Sequence, residues 1–111
     1  GLHGDRKTWK LISCLKGEIY LVVLDYQPKS PEFGKWQSFI LSGSNGTQIL
    51  VPPSFLNGHL VLSEKAVFHY NWSEYYDGED SQFRIRWNDS RFNISWPIAN
   101  PILSLKDGGQ K

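Results

Sequence analysis

The feature that most constrains the fold is a succession of short apolar runs separated by turn-forming residues. The runs are "TWKLISCLKG", "EIYLVVLDY", "KWQSFILS", "TQILVPP", "GHLVLS", "AVFHYNW" and "FRIRW". Gly, Pro, Asn and Ser interrupt them, and none continues with the 3.6-residue period of a helix. Short strands at this spacing predict an all-β sandwich or barrel. The Lys16-Gly17 break predicts a hairpin between the first two runs.

The composition agrees with one small folded domain spanning residues 1–111. Hydrophobic residues make up 40% of the chain and aromatic residues 14%, with no Met, which suits a β-rich interior. A formal net charge of +1 is too small to indicate nucleic acid or a membrane surface as a partner. No apolar run approaches the length that spans a bilayer. We therefore expect neither a nucleic-acid nor a membrane partner.

The single cysteine and the first residues bear on compartment and completeness. Cys14 has no internal disulfide partner and is interpreted as a small buried hydrophobe, which favours a reducing, cytoplasmic setting. Four Asn-x-Ser/Thr sequons are interpreted as chance, since two fall inside strand patterns. The opening "GLHGDRKTWK" has no start methionine and no preceding strand. We expect a piece of a longer chain, or a partner chain that closes the sheets.

The stretch "FLNGHLVLSEKAVFHYNW" contains the residues with the clearest chemical potential. His59 and His69 are separated by ten positions, without a His-x-His pair or a cysteine cluster, so we predict no metal site. Strand alternation places Phe68 and Tyr70 on one face and His69 on the other, so His69 and Tyr70 cannot share a site. By the same rule Asn57 and His59 share a face. A satisfied polar group in a strand remains the alternative for each of them.

A series of motifs carries a family resemblance. In order they are "GLHGDRKTWKL", "GEIYLVVLDYQPKSPEFGKW", "VPPSFLNGHLVLSEKAVFHY", "EYYDGEDSQFRIRWNDSRFNISWP" and "PILSLKD". The chain resembles the dTDP-4-dehydrorhamnose 3,5-epimerase family, and within it the branch that acts on 4-keto heptoses or related sugars. The resemblance implies a metal-free, cofactor-free jelly-roll cupin barrel that forms a homodimer and binds a nucleotide-diphosphate sugar. It also implies that the family's amino-terminal segment is absent here.

The resemblance also assigns roles to four residues in an epimerisation through an enolate. His3 of "GLH" matches the family's base, and Asp107 of "LSLKD" matches the carboxylate that orients it. Lys10 would face the C4 oxygen of the sugar, and Tyr70 would be the acid on the opposite side. Singly, each has an ordinary alternative: a disordered terminus for His3, a surface position for Lys10, a floppy tail for Asp107 and a core ring for Tyr70.

Two positions depart from the family pattern. The family's "FAHGF" reads "FLNGH" here, so Asn57 replaces a histidine, and "FDV" reads "YLV", so Leu21 replaces its aspartate partner. Loss of both partners indicates a remodelled pocket, because a buried carboxylate alone would be costly. We assign substrate binding to Asn57, His59 and Lys106, with His59 partly refilling the space. The alternative function is a catalytically lapsed cupin that binds a sugar nucleotide or only dimerises.

Overall fold

The computed structural model describes residues 1–73 and 82–97, and all regular structure in these ranges is β. The strands are β1 (Leu2–Gly4), β2 (Lys10–Lys16), β3 (Glu18–Asp25), β4 (Trp36–Ser42), β5 (Gln48–Val51), β6 (Phe55–Val61), β7 (Val67–Trp72) and β8 (Phe83–Ile85). They form a five-stranded sheet in the order β4-β3-β6-β1-β8 and a three-stranded sheet in the order β5-β2-β7. Every pairing is antiparallel. In these ranges no helix is present that could cross a membrane.

The predicted hairpin at Lys16-Gly17 is wrong. β2 pairs with β5 and β7, whereas β3 pairs with β4 and β6, so the single residue Gly17 carries the chain from one sheet to the other. Gly17 has a φ of 82°, and a Cβ there would collide with the carbonyl oxygen of Lys65. A hairpin would place β2 and β3 side by side in one sheet. Instead the two strands lie in different sheets, and Ile12 of β2 and Ile19 of β3 are completely buried in one cluster between those sheets.

The five-stranded sheet is covered on both faces. Its inner face packs against the three-stranded sheet through the inner cluster Ile12, Cys14, Ile19, Leu21, Leu41 and Val51. Its outer face carries the outer cluster Leu2, Val22, Leu24, Leu56, Ile85 and Phe92. The segment after β8 covers that face, where Trp36 Nε1 donates to the carbonyl oxygen of Phe92 at 3.0 Å. Leu2 packs in the outer cluster, so the side chain of His3, the next residue of β1, points into the space between the two sheets.

The strand β7 confirms the predicted alternation. Phe68 and Tyr70 pack against the inner cluster, while Val67 and His69 are exposed on the other face. The Nε2 atom of His69 lies 3.1 Å from Oδ1 of Asn71, its neighbour on that exposed face. His69 and Tyr70 therefore lie on opposite sides of one sheet, as expected. The prediction that Cys14 is buried is confirmed as well.

Candidate active site

The site begins where three strands of the five-stranded sheet lie side by side. On β1, His3 is directly opposite Asn57 of β6 and directly opposite Arg84 of β8. Leu2 and Ile85 belong to the outer cluster, so the intervening residues of the same strands face the inner side. Residue pairs in this register have Cβ atoms about 4.5–5.5 Å apart. His3 is therefore held in a paired strand between an amide and a guanidinium, which does not fit the disordered-terminus alternative.

Lys10 contacts His3 and Asn57 from the three-stranded sheet. It opens β2 and is only 4% exposed, so the surface-lysine alternative is wrong. Its Nζ donates to Oδ1 of Asn57 at 2.8 Å and to the carbonyl oxygen of His3 at 3.4 Å. It also lies 5.5 Å from the centre of the Trp72 ring, within cation–π range. The structure thus brings together three of the residues selected from the sequence, His3, Lys10 and Asn57.

Within residues 1–73 and 82–97, no carboxylate is hydrogen-bonded to the buried ammonium of Lys10. Burial lowers the pKa of Lys10, and the negative charge of Asp5 opposes this effect more weakly. Burial alone would raise the pKa of Asp5, but hydrogen bonds from the hydroxyl and N–H groups of Thr8 and the N–H of Lys7 outweigh it and lower that pKa. Asp5 Oδ2 accepts from Thr8 Oγ1 at 2.8 Å. Asp5 is therefore tied into its own turn and acts on Lys10 only from a distance.

Tyr70 lines the same inter-sheet space from β7. On β2, Lys10 is opposite Trp72 and Ile12 is opposite Tyr70, so these four side chains share the inner face of the three-stranded sheet. Burial raises the pKa of Tyr70 to about 12, which keeps its phenol protonated at neutral pH. The structure thus presents a protonated donor on the sheet that faces His3.

His59 joins the site through an aromatic contact. Its ring packs edge-on against Phe68 with the ring centres 4.3 Å apart, and Phe68 in turn contacts the Tyr70 ring at 5.4 Å. His59 is on β6, two residues beyond Asn57 on the same face, as the alternation predicts. His59, Phe68 and Tyr70 thus form a continuous aromatic wall that spans the two sheets.

The remaining predicted residues have different outcomes. Asp107 and Lys106 lie outside the described residues, so their roles stay predictions. Leu21, which replaces the family's aspartate, is completely buried in the inner cluster. Its neighbour on the same face of β3, Val23, is directly opposite Asn57. The side of the pocket formed by β3 is therefore apolar next to Asn57.

Three residues of the site were not selected from the sequence: Asp5, Trp72 and Arg84. The "DRKT" stretch has the spacing of an Asp that accepts hydrogen bonds from the following turn, a signal that could have identified Asp5. Alternation in "FRIRW" places Arg84 on the opposite face from Phe83 and Ile85. Only the strand register, however, places Arg84 opposite His3 and Trp72 opposite Lys10.

The described residues show no metal cluster, and a neighbouring cleft is separate from this site. Within residues 1–73 and 82–97, no group of three His, Cys, Asp or Glu side chains is placed to hold a metal ion. A separate cleft of about 570 Å³ opens between β4 and β5 and is lined mainly by Val23, Trp36, Phe39, Ile49, Pro52 and Phe55. Its charged rim residues Glu32 and Lys35 already form an ion pair of 2.8 Å. Neither His3 nor Lys10 lines it.

A two-sheet antiparallel barrel with its polar groups between the sheets is the architecture of a cupin-like jelly roll. The sequence profile of the dTDP-4-dehydrorhamnose 3,5-epimerase family matches residues 1–111, and the chain belongs to this family. The dTDP-4-dehydrorhamnose 3,5-epimerase of Shigella flexneri is 40% identical over 115 residues, which cover 100% of this chain and 63% of the relative. That of Escherichia coli K12 is 42% identical over 111 residues, covering 96% and 60%.

Solved structures agree with these relatives. An epimerase from Legionella pneumophila, in complex with dTDP-4-keto-L-rhamnose, superposes with a TM-score of 0.90 at 38% identity, covering 98% of this chain and 59% of that one. A dTDP-4-dehydrorhamnose 3,5-epimerase from Bacillus anthracis with TDP and PPi bound gives 0.90 at 39%, covering 96% and 62%. The family and the all-β cupin fold are thereby confirmed. The chain spans 59–63% of the length of these four relatives.

Proposed function

We propose that this protein is an epimerase of a nucleotide-linked 4-keto sugar that inverts C3, C5 or both. The observation that carries the proposal is the buried ammonium of Lys10, held beside His3 and on the inner face shared with Tyr70. Inversion next to a ketone uses a base, stabilisation of the developing oxyanion and a proton donor on the opposite face, and His3, Lys10 and Tyr70 can supply these three. The chemistry uses no metal and no dissociable cofactor.

Proton removal is assigned to His3. A ketone at C4 acidifies the hydrogens of the adjacent carbons, and an imidazole accepts such a proton in a range near neutral pH. The electron pair of the broken C–H bond forms a C=C double bond to C4, and the π pair of the C4 carbonyl moves onto its oxygen, which becomes negative. Asp107 is proposed to hold the imidazole in the productive orientation. This assignment rests on the family motif.

Stabilisation of the enolate is assigned to Lys10. Among the described residues, the hydrogen-bond acceptors of its ammonium are a neutral amide and a backbone carbonyl, so no directly bonded carboxylate in this part of the chain cancels its positive charge. In a buried setting that charge acts more strongly on a developing oxyanion than it would in water. Lys10 is therefore suited to the moment at which the C4 oxygen becomes negative.

Return of the proton from the opposite face is assigned to Tyr70. With its pKa raised to about 12, its hydroxyl is protonated throughout the neutral range and is available as a donor. An enolate carbon is a stronger base than a phenolate, so the transfer is favourable even from a weakened acid. The carbon then carries its new hydrogen on the face opposite His3, which inverts the centre.

Binding of the nucleotide diphosphate is assigned to cations near His3. Arg84 lies directly opposite His3, and a guanidinium matches phosphate oxygens in geometry and charge. Asn57, His59 and Lys106 are proposed to contact the sugar and the groups next to it. The dTDP-linked ligand in the Legionella relative favours a dTDP sugar here as well. A 4-keto heptose stays a prediction from the changes at Asn57 and Leu21.

The lapsed-cupin alternative is less well supported. A pocket that had lost its chemistry would gain stability by replacing a buried ammonium with an apolar side chain, because desolvation of a charge is costly. Lys10 is nevertheless retained at 4% exposure, next to a histidine and across from a tyrosine. A cytoplasmic location is part of the proposal and rests on the single reduced cysteine, Cys14.

Incubation of the full-length protein with a dTDP-4-keto-6-deoxy sugar in deuterated water tests the function. We expect solvent deuterium at C3, C5 or both, detected by NMR and mass spectrometry, because each enolate takes its new hydrogen from groups that exchange with solvent. The same protein with Lys10→Met is the control and should exchange at least about a hundredfold more slowly. No deuterium uptake with any dTDP-linked or GDP-linked 4-keto sugar, including 4-keto heptoses, would contradict the proposed function.

We also propose a homodimer through the outer face of the three-stranded sheet. The strands of this sheet expose Leu15 by 62%, Leu50 by 57% and Val67 by 50%, a set of large apolar side chains. Light scattering of the full-length protein should return twice the chain mass at micromolar concentration. Val67→Lys should lower it, whereas Ile40→Lys on the other sheet should not. A monomer mass for the unmodified protein would contradict the proposal.

A further inference from the structure

We propose that Asn57 is a positioning residue for Lys10, which fixes the ammonium at the C4 oxygen of the substrate while adding no negative charge. The inference rests on the proposed function and concerns how its central cation is placed. It also gives a chemical reason for an amide at the position where the family pattern has a histidine. Asn57 itself makes no chemical step.

The geometry makes Asn57 the main restraint on the lysine. Lys10 leaves β2 in one sheet, and its Nζ must cross the inter-sheet space to meet Oδ1 of Asn57 on β6 at 2.8 Å. Its other contacts are looser, at 3.4 Å to the carbonyl oxygen of His3 and 5.5 Å to the centre of the Trp72 ring. A lysine side chain is long and has many rotamers, so one short, directional bond decides where its charge lies.

Burial makes this bond difficult to replace. Asn57 is 6% exposed and Lys10 is 4% exposed, so water has little room to serve as the acceptor instead. On β3, the residue directly opposite Asn57 is the apolar Val23, which offers no alternative acceptor. Removal of the amide oxygen would therefore leave the ammonium to find another place in the pocket or to lose its proton.

The charge of the acceptor matters as much as its position. A carboxylate at residue 57 would hold Lys10 equally well but would neutralise it, and the enolate would then compete with a permanent anion. An apolar residue would leave the ammonium with only its longer contacts to the His3 carbonyl oxygen and the Trp72 ring. An amide oxygen accepts the hydrogen bond and leaves the full positive charge for the substrate. Asparagine satisfies both requirements at this position.

An amide, a carboxylate and an apolar side chain at position 57 should give the reaction different pH dependences. Lys10 must be charged to act, and burial already lowers its pKa. An acceptor bonded to the charged form favours that form, so loss of Asn57 should lower the pKa further and a carboxylate should raise it. Among the described residues, the other ionisable groups near Lys10 are Asp5 on the turn after β1 and His3 on β1, with Arg84 of β8 opposite His3 and Tyr70 of β7 on the same inner face as Lys10. None of these changes between the variants.

The experiment compares Asn57→Leu, Asn57→Asp and the matched control Asn71→Leu in the full-length protein. Asn71 is on β7 but faces outward and is exposed, so its replacement tests the loss of an amide without contact to Lys10. The rate of deuterium uptake from solvent into the 4-keto sugar is measured from neutral to alkaline pH. Thermal unfolding and dTDP binding are followed in parallel, which shows whether each variant is folded.

We expect Asn57→Leu to lower kcat by about tenfold to a hundredfold, the usual effect of losing a hydrogen bond to a charged group. The alkaline limb of its pH profile should move to lower pH. Asn57→Asp should also lower kcat, but its alkaline limb should move to higher pH. Asn71→Leu should match the unmodified protein. Opposite shifts of the two limbs are not expected from a residue with only a structural role.

Two outcomes would overturn the inference. Unchanged kcat and pH profile in folded Asn57→Leu would show that Lys10 does not depend on Asn57. An alkaline limb in Asn57→Asp that coincides with that of the unmodified protein would show the same. If Asn57→Leu fails to fold, the pH profile of Asn57→Asp alone decides whether Lys10 depends on Asn57. An unmodified protein without any deuterium uptake would instead refute the proposed function, so the two failures are distinguishable.

Discussion

Replacement of His3 by asparagine is expected to abolish uptake of solvent deuterium at every sugar position. Without the imidazole no group takes the proton from the carbon beside the ketone, and no enolate forms for Lys10 to stabilise. The loss of one general base lowers a rate by about a hundredfold to ten-thousandfold. Deuterium incorporation and epimer formation should fall together, because both need the enolate. NMR of the sugar after incubation in deuterated water measures both.

His69→Asn is the matched control for this change. His69 is exposed on the outer face of β7, where its ring contacts Asn71, so its loss removes an imidazole without altering the pocket. Its deuterium uptake should equal that of the unmodified protein. Exchange at the unmodified rate in His3→Asn would remove His3 as the base and would direct attention to His59, the other histidine on the inner side.

Replacement of Tyr70 by phenylalanine should separate exchange from inversion. The substitution keeps the ring and its contact with Phe68 but removes the phenol. Proton removal and return on the His3 side can continue, so deuterium should still enter the substrate with its configuration retained. Inversion requires a donor on the other face and should fall by about a hundredfold to ten-thousandfold. NMR of the recovered sugar distinguishes the two epimers and so measures inversion separately from deuterium uptake.

Tyr20→Phe provides the control for Tyr70→Phe. The Tyr20 hydroxyl donates to the carbonyl oxygen of Ser95 at 2.6 Å on the outer side of the five-stranded sheet, away from the pocket. Its loss should reduce the free energy of unfolding by about 1 kcal/mol without changing inversion. Unchanged inversion in Tyr70→Phe would make Tyr70 a core residue only. His59, which packs on Phe68 in the same wall, would then be the candidate acid.

Much of the fold and part of the site could be read from local patterns. The alternation in "AVFHYNW" correctly separated His69 from Tyr70, because the side-chain period of a strand is a property of neighbouring residues. The burial of Cys14 followed from its apolar surroundings. The motifs from "GLH" onward indicated the family that the sequence profile matches. His3, Lys10 and Tyr70 were selected on those motifs, and all three occupy the inner side of the sandwich.

The pairing of the strands could not be predicted from local sequence patterns. The Lys16-Gly17 break has the composition of a hairpin, yet β2 and β3 lie in different sheets. A turn reports only on a few residues, whereas the choice of partner depends on which arrangement buries both apolar faces across the whole chain. Here that requirement places Ile12 and Ile19 in one buried cluster between the two sheets rather than side by side in one sheet.

The sequence by itself determined which side chains share a strand face and which family motifs they match. Only the tertiary structure decided that Lys10 crosses to Asn57, that Arg84 lies opposite His3, and that Trp72 covers the ammonium. Face and motif are set within a few residues of the chain. Contacts between β1, β2, β6, β7 and β8 join positions far apart in sequence, and they exist only once burial of the two clusters has set the register of the sheets.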